Sequence, residues 1–127
     1  MGSMHLAMGQ APVVLGDIEK NLEIMEGLIC EAQRDGEQDI DLIAFPELFI
    51  TGYNLRDNYN DVAEKIPGKG KAQTEMCRLA KEYGIHITTG IVEKAGKSLF
   101  NSAILIGPEG YIGHYRKQFL PNFGPFE

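Results

Sequence analysis

A continuous apolar run, Leu-Ile-Ala-Phe at residues 42–45, follows Asp41 and ends at Pro46. A strand in which apolar and polar residues do not alternate is buried on both faces, as in a parallel sheet covered by helices. Proline cannot donate a hydrogen bond to a strand ladder, so Pro46 closes the strand. The run therefore predicts a central strand of an α/β sheet.

The other predicted elements follow from hydrophobic periodicity and from turn residues. Apolar residues spaced by three and four positions predict two amphipathic helices, and the Gly- and Asn-containing segment 48–66 is predicted to be irregular. The predicted elements are a strand at 5–9, a helix from an Asp17 N-cap to about Asp35, the strand at 41–45, a helix from about Gly70 to Tyr83, and strands at 85–92, 99–106 and 111–116.

This order, β-α-β-α-β-β-β, predicts an α/β fold with one mixed sheet and two helices on one face. Two helices cover only one face of such a sheet, so the other face is expected to be bare. The strand at 41–45 is nevertheless predicted to be buried on both sides. We therefore expect residues 4–127 to be half of a larger domain, and residues 1–3 to be a cloning scar.

Composition excludes several classes of function. The 127 residues carry a net charge of −6, and no Lys/Arg stripe is present, which argues against a nucleic-acid partner. No apolar run is long enough to span a bilayer, and no signal peptide is visible. Two cysteines without a secretory signal argue against a disulfide framework and favour the cytoplasm. No residues have metal-ligand spacing, and no cofactor is expected.

Glu47 is the first candidate for chemistry, because it follows the strand at 41–45 at its carboxyl end, where ligands collect in open α/β sheets. Apolar neighbours would desolvate Glu47 and raise the pKa of its carboxyl group toward that of a general base. The alternative is a Glu that leaves the strand and is exposed to water.

Lys117 is the second candidate, because it also ends a strand and enters a Pro-rich loop. If the strands at 41–45 and 111–116 are neighbours, Glu47 and Lys117 emerge at the same edge of the sheet. A lysine ammonium there can stabilise an oxyanion on a substrate carbonyl. The alternative is an ordinary surface lysine.

Two segments together resemble a known family. Phe-Pro-Glu-Leu-Phe-Ile-Thr-Gly-Tyr at 45–53 resembles the first motif of the nitrilase superfamily of carbon–nitrogen hydrolases, and Tyr-Arg-Lys-Gln-Phe-Leu-Pro-Asn-Phe-Gly at 115–124 resembles the second. Ile-Pro-Gly at 66–68, Gly-Ile-Val-Glu at 90–93 and Phe-Asn-Ser-Ala at 100–103 resemble its connecting pieces. The resemblance covers essentially the whole chain after residue 3.

The resemblance implies half of an α-β-β-α sandwich and a Glu–Lys–Cys catalytic set that cleaves a non-peptide C–N bond. Glu47 would be the general base, and Lys117 would stabilise the tetrahedral intermediate. Glu127 is a candidate for the family's assisting acid, and Tyr53 and Asn54 are candidates for the substrate pocket. The implied partners are a small amide, carbamoyl or nitrile substrate and either further copies in a homo-oligomer or the missing C-terminal half.

The nucleophilic cysteine of the family should follow the second motif, and residues 1–127 contain no cysteine there. Cys30 and Cys77 lie on the predicted helices and are interpreted as small core or near-core residues. The chain alone is therefore expected to be inactive. Two alternative functions are the glutaminase domain of a glutamine-dependent NAD synthetase and a non-catalytic assembly module with the same fold.

Overall fold

The computed structural model describes residues 2–35, 39–53, 55 and 58–120. Within these residues, five strands and three helices follow one another in the order β-α-β-α-α-β-β-β. Their bounds are β1 Leu6–Met8, α1 Ile18–Asp35, β2 Leu42–Ala44, α2 Tyr59–Val62, α3 Lys71–Tyr83, β3 His86–Ala95, β4 Ser98–Gly107 and β5 Gly110–Arg116.

The strands form one mixed sheet in the order β1-β2-β3-β4-β5. The first three strands are parallel, and β3, β4 and β5 pair in antiparallel fashion. The predicted mixed sheet is therefore confirmed. The supposition that the strands before Glu47 and Lys117 are neighbours is wrong, because β3 and β4 lie between β2 and β5. Tight turns join β3 to β4 and β4 to β5, so these three strands pair in sequence order.

The larger core lies between the sheet and the two long helices. The predicted stripe of α1 is confirmed, with Leu22, Met25 and Ile29 buried, and α3 contributes buried apolar residues to the same cluster. The Asp17 side chain accepts a hydrogen bond from the Lys20 backbone N–H at 3.0 Å, which confirms Asp17 as the N-cap of α1. Inward-facing residues of the sheet complete this core, and they are Ile43, Ile87, Ile91, Ile104 and Ile106.

Helix α3 is held at both ends. Gly84 takes a left-handed conformation with φ of 61° and ends the helix as predicted. At the other end, the buried Glu64 carboxylate accepts hydrogen bonds from the backbone N–H groups of Ala72 and Gln73 at 2.7 and 3.2 Å. Negative charge at a helix N-terminus is favourable because unpaired N–H groups and the helix dipole meet there. The sequence pattern did not predict this cap, because Glu64 lies outside the helix.

Two local predictions are wrong. The segment 48–66 was predicted to be irregular, but it contains α2 and a parallel bridge between Glu64 and Glu93. Cys30 was interpreted as a core or near-core residue, but it is exposed, and its thiol donates to the Tyr83 hydroxyl at 3.1 Å. The reason for the second error is that Cys30 falls beside the buried stripe of α1, one position past Ile29.

The sheet face opposite α1 and α3 is partly bare, as predicted. Leu6 and Met8 of β1 and Tyr115 of β5 are 51%, 73% and 61% exposed on this face. In β2, Ile43 is buried on the helix side, whereas Leu42 and Ala44 on the other side are only half-buried. Burial of that strand on both faces is therefore not found. No helix among the described residues is long and apolar enough to cross a membrane.

Candidate active site

Glu47 and Lys117, 70 positions apart in the sequence, meet on the sheet face opposite α1 and α3. The Lys117 Nζ donates to Glu47 Oε1 at 2.8 Å. Both predicted candidates are thus placed in one ion pair. Their side chains are 41% and 40% exposed, so the expected desolvation of Glu47 is not found in this chain. The partners of the Glu47 carboxylate are polar groups rather than its apolar neighbours in the sequence. Phe49 packs into the helix-side core, and Leu48 packs into a smaller core on the other face of the sheet.

Glu47 reaches Lys117 because the chain crosses over β3 after leaving β2. The Gly90 N–H of β3 donates to the Pro46 carbonyl at 3.2 Å, and Glu47, the residue after Pro46, passes directly above Gly90. A Cβ atom at Gly90 would lie 2.1 Å from Leu48 N and 2.7 Å from Glu47 Cα. Only glycine permits this approach. The crossing carries the Glu47 carboxylate past β3 to β4.

The residue after Glu47 has a constrained backbone. Leu48 has φ of 51°, which non-glycine residues seldom adopt, and its side chain is fully buried. Leu48 packs with Leu55, Tyr59 and Val92 in a second, smaller core on this face of the sheet. The burial of Leu48 holds the turn in this conformation, and the turn fixes the direction of Glu47.

Asn101 is a third member of the site, and it was not predicted as a site residue. Its Nδ2 donates to Glu47 Oε1 at 2.7 Å, and Asn101 is only 4% exposed. Its backbone carbonyl accepts from the Lys117 N–H at 2.8 Å. The segment Phe-Asn-Ser-Ala at 100–103 carries part of the family resemblance but does not by itself mark Asn101 as a site residue. The signal that could have identified Asn101 is strand alternation. Asn101 lies opposite Val92 of β3, and Val92 is on the same sheet face as Gly90, two residues earlier.

A β-bulge decides which cation faces Glu47. The β4–β5 pairing runs from Gly107 opposite Gly110 to Ile106 opposite Tyr111, and the register then shifts so that Leu105 lies opposite Gly113. Ile112 is the extra residue. Beyond the bulge, Arg116 pairs with Ser102, and Lys117 follows beside Asn101. Without the bulge, Arg116 would lie opposite Asn101, because one residue of register exchanges the two faces of a strand.

The ion pair lines a pocket of about 300 Å³. The pocket is lined by Phe45, Glu47, Thr88, Thr89, Gly90, Asn101, Ser102, Ala103, Tyr115 and Lys117. Of the two pocket candidates from the sequence, Tyr53 is 44% exposed and does not line the pocket, although its phenol acts electrostatically on Lys117. Asn54 and Glu127 lie outside the described residues.

The electrostatics of the site favour a protonated lysine. The hydrogen bond to Glu47 is the largest effect and raises the pKa of Lys117 above its ordinary value. Desolvation opposes it, and the charges of Glu47 and Tyr53 add smaller increases. An ammonium beside an ionised carboxylate suits oxyanion stabilisation, because the positive charge is present before the substrate carbonyl becomes negative.

A second carboxylate, Glu93, is anchored on the helix side of the same strands. Its side chain is 1% exposed and accepts two hydrogen bonds from Arg116, at 2.9 and 2.8 Å, and one from Ser102 at 2.8 Å. Burial alone would raise the pKa of Glu93, but the hydrogen bonds from Arg116 and Ser102 and the nearby His114 lower it below its ordinary value. Arg116 also lies 4.0 Å above the Phe100 ring. Asn101 and Lys117 thus bind Glu47 on one face of the sheet, and Ser102 and Arg116 bind Glu93 on the other face.

Neither cysteine belongs to this constellation. Cys30 lies on α1, and Cys77 lies on α3, where it packs against the helix-side core. Both helices cover the face opposite the Glu47–Lys117 pair. Burial raises the pKa of the Cys77 thiol, which disfavours a thiolate there. These observations exclude both cysteines as the nucleophile of this site.

The sequence profile of the carbon–nitrogen hydrolase family matches residues 5–126. The chain belongs to the carbon–nitrogen hydrolase family. This member of the nitrilase superfamily is 44% identical over 104 residues to a nitrilase of Pyrococcus abyssi, an alignment that covers 80% of the chain and 38% of that relative. The chain thus spans well under half the length of the curated relatives it matches, and a Schizosaccharomyces pombe relative is covered to 43%.

Solved structures show the same fold for this carbon–nitrogen hydrolase chain. An N-terminal amidase superposes with a TM-score of 0.81 at 22% identity, covering 92% of the chain and 28% of the amidase. A glutamine-dependent NAD synthetase of Acinetobacter baumannii superposes with a TM-score of 0.73 at 30% identity, covering 99% of the chain and 23% of the synthetase. The predicted fold, half of a nitrilase sandwich with one mixed sheet and two helices on one face, is confirmed.

Proposed function

We propose that the protein that carries this chain hydrolyses a non-peptide C–N bond of a small amide, carbamoyl or nitrile compound, with Glu47 as general base and Lys117 as oxyanion stabiliser. The observation that carries the proposal is the ion pair between Lys117 Nζ and Glu47 Oε1 at 2.8 Å, held in a pocket at the carboxyl end of a parallel strand. Membership of the family supplies the class of reaction.

The chemistry needs a thiol, which we propose is supplied from outside residues 1–127. Glu47 takes the thiol proton as the sulfur forms a bond to the amide carbon, and the carbonyl electrons move onto oxygen. Lys117 has three ammonium hydrogens, so it can keep its bond to Glu47 and donate another to this oxyanion. Donors of this type are worth about 3–4 kcal/mol of barrier.

The intermediate then collapses and expels the amine, which takes the proton from Glu47, and a thioester remains. Glu47, again a carboxylate, accepts a proton from the attacking water. Loss of the thiol as leaving group, reprotonated through Glu47, yields the carboxylic acid. Glu47 thus serves as base and acid in turn, which requires a carboxylate close to both the thiol and the leaving group.

The test is a hydrolysis assay on the full-length protein with short carboxamides, carbamoyl compounds, nitriles and glutamine. We expect release of ammonia or amine from at least one class, with Glu47→Gln and Lys117→Met each lowering kcat by at least about 100-fold. The 127-residue chain alone should show no turnover. Turnover that survives Glu47→Gln would contradict the assigned role of this residue.

A glutaminase is the second candidate function, and the 30% identity to the NAD synthetase over 99% of the chain favours it. The two candidates differ in substrate. A glutaminase should hydrolyse glutamine and prefer it over short aliphatic amides and nitriles, and its ammonia should be used by an ATP-dependent synthetase domain. The same assay panel, with and without ATP and a carboxylate acceptor, separates the two. In the full-length protein, we further propose that Tyr53 and Asn54 line a part of the substrate pocket beyond the cavity described above, and that Glu127 assists Glu47.

A further inference from the structure

Asn101 contacts both members of the ion pair through different atoms. Its side-chain amide donates to Glu47 Oε1 at 2.7 Å, and its backbone carbonyl accepts from the Lys117 N–H at 2.8 Å. At 4% exposure, the amide is shielded from water that could replace it. One buried residue of β4 therefore sets the position of the acid side chain and of the backbone that carries the lysine.

The two oxygens of Glu47 are used unequally. Oε1 accepts from both Asn101 and Lys117, and a carboxylate oxygen has two lone pairs directed for such bonds. Among the residues that the structure describes, no side chain or backbone group donates to Oε2. A proton arriving at Oε1 would have to break one of two charge-assisted bonds, whereas a proton arriving at Oε2 breaks none.

We propose that Asn101 is a positioning residue that fixes the Glu47 carboxylate so that Oε1 stays bound to Lys117 and Oε2 is the atom that accepts and returns the proton. The proposal rests on the proposed function, because it assigns an atom to the general base of that reaction. An amide suits this task, since it donates a hydrogen bond without a charge that would compete with Lys117 for the carboxylate. An Asp at the same position would present lone pairs to Oε1 and repel it.

The first experiment tests the contact on the 127-residue chain and needs no turnover. The side-chain NH₂ of Asn101, assigned by its loss in Asn101→Asp, is compared by ¹⁵N NMR at neutral pH in asparagine-labelled wild type and Glu47→Gln. We expect the hydrogen-bonded proton to resonate downfield in the wild type and to move upfield in Glu47→Gln, because a neutral amide oxygen is a weaker acceptor than a carboxylate. Equal proton shifts of this NH₂ in the wild type and in Glu47→Gln overturn the proposal.

The second experiment tests the role in the full-length protein with its substrate. Asn101→Ala should lower kcat by about 10- to 100-fold and change KM by less than about threefold, because a carboxylate that rotates away is misplaced for proton transfer while the substrate pocket persists. Asn101→Asp should regain part of its kcat as the pH is lowered, because a protonated carboxyl group can donate to Oε1 as the amide does. This acid recovery is a signature that a merely structural role would not give.

Ile104→Val is the matched control, because Ile104 is also buried on β4 but packs into the helix-side core. It should lower the melting temperature and leave the pH profile unchanged. An Asn101→Ala variant whose kcat and pH profile match those of Ile104→Val overturns the proposal. Absence of turnover in the wild type contradicts the proposed function instead, and the NMR comparison then decides by itself whether Asn101 holds Glu47.

Discussion

Lys117 and Glu47 form an ion pair of 2.8 Å although two strands of the sheet separate the strands that precede them. Three features close the gap. The chain after β2 crosses over Gly90, and the Asn101 amide of β4 donates a hydrogen bond to the Glu47 carboxylate. A bulge in the β4–β5 pairing then places Lys117 beside Asn101. The pair is therefore a product of the whole sheet rather than of adjacent strand ends.

Replacing Glu47 by Gln should lower the pKa of Lys117 toward its ordinary value, because the hydrogen bond and the charge that raise it are both weakened. The side-chain resonances of Lys117 in the 127-residue chain, followed by NMR through the alkaline range, measure this change. The pair stabilises the folded chain fully below the ordinary lysine pKa of about 10.4, and this contribution disappears as the pH rises through the raised value. An unchanged Lys117 titration in Glu47→Gln would show that the pair does not form in solution.

Gly90→Ala should displace the backbone at Glu47 and Leu48, because the new Cβ would fall 2.1 Å from Leu48 N. We expect a loss of about 1–3 kcal/mol in the free energy of unfolding, as for other overpacked sites, and a disturbed Asn101–Glu47 contact. Chemical denaturation measures the first effect. Gly27→Ala in the interior of α1 is the control, because nothing lies within 4 Å of its added Cβ, and it should stabilise the chain by about 0.5–1 kcal/mol. Equal stabilities for the two variants would refute the crossing.

Glu93→Gln should destabilise the chain at neutral pH by about 1–3 kcal/mol, the range for hydrogen bonds to charged groups, because Arg116 and Ser102 lose a charged acceptor. The pKa of Glu93 is lowered in the fold, so its contribution is complete above the ordinary glutamate pKa of about 4.3 and is lost as the pH falls through the lowered value. The unfolding free energy of the variant, measured by urea denaturation across the acid range, should therefore depend less on pH than that of the wild type. A parallel pH dependence in both proteins would rule out this role of Glu93.

The bare sheet face should make the 127-residue chain associate with itself, because Leu6, Met8 and Tyr115 expose apolar surface there. Analytical ultracentrifugation should show species larger than a monomer, and Met8→Lys should shift the distribution toward the monomer. Leu15→Lys is the control, since Leu15 is similarly exposed but lies in the loop before α1. A sharp monomeric profile with a cooperative melt for the unmodified chain would contradict this prediction.

The parts of the fold that the sequence predicted are those set by local pattern. The stripe of α1, the Asp17 cap and the Gly84 stop each depend on residues within a few positions of one another. The parts that it did not predict depend on distant contacts. The Glu64 cap reaches α3 from another segment, and the strand order places β3 and β4 between β2 and β5.

The candidate site shows the same division. Glu47 and Lys117 were found from their strand-end positions and from two motifs. Asn101 and Gly90 were not found, because the role of each depends on its contact with the segment around Glu47, which is distant in the sequence. The expected desolvation of Glu47 was wrong for this chain, because neighbours in the sequence are not the neighbours of its carboxylate in space.

The bulge at Ile112 determines which insertions and deletions the β4–β5 hairpin can accept. Residues inserted at its tip, between Gly107 and Gly110, would leave every pairing beyond the bulge intact. Deletion of Ile112 would also leave them intact, because Ile112 has no partner on β4. Insertion of one residue between Gly113 and Arg116 would instead place Arg116 opposite Asn101 and facing Glu47, and would turn Lys117 toward the helices. The planar guanidinium would then occupy both carboxylate oxygens as a fork, and no oxygen would be left to accept a proton. One inserted residue would thus replace the proposed proton-transferring pair by an inert salt bridge, although Glu47 and Lys117 both remained in the sequence.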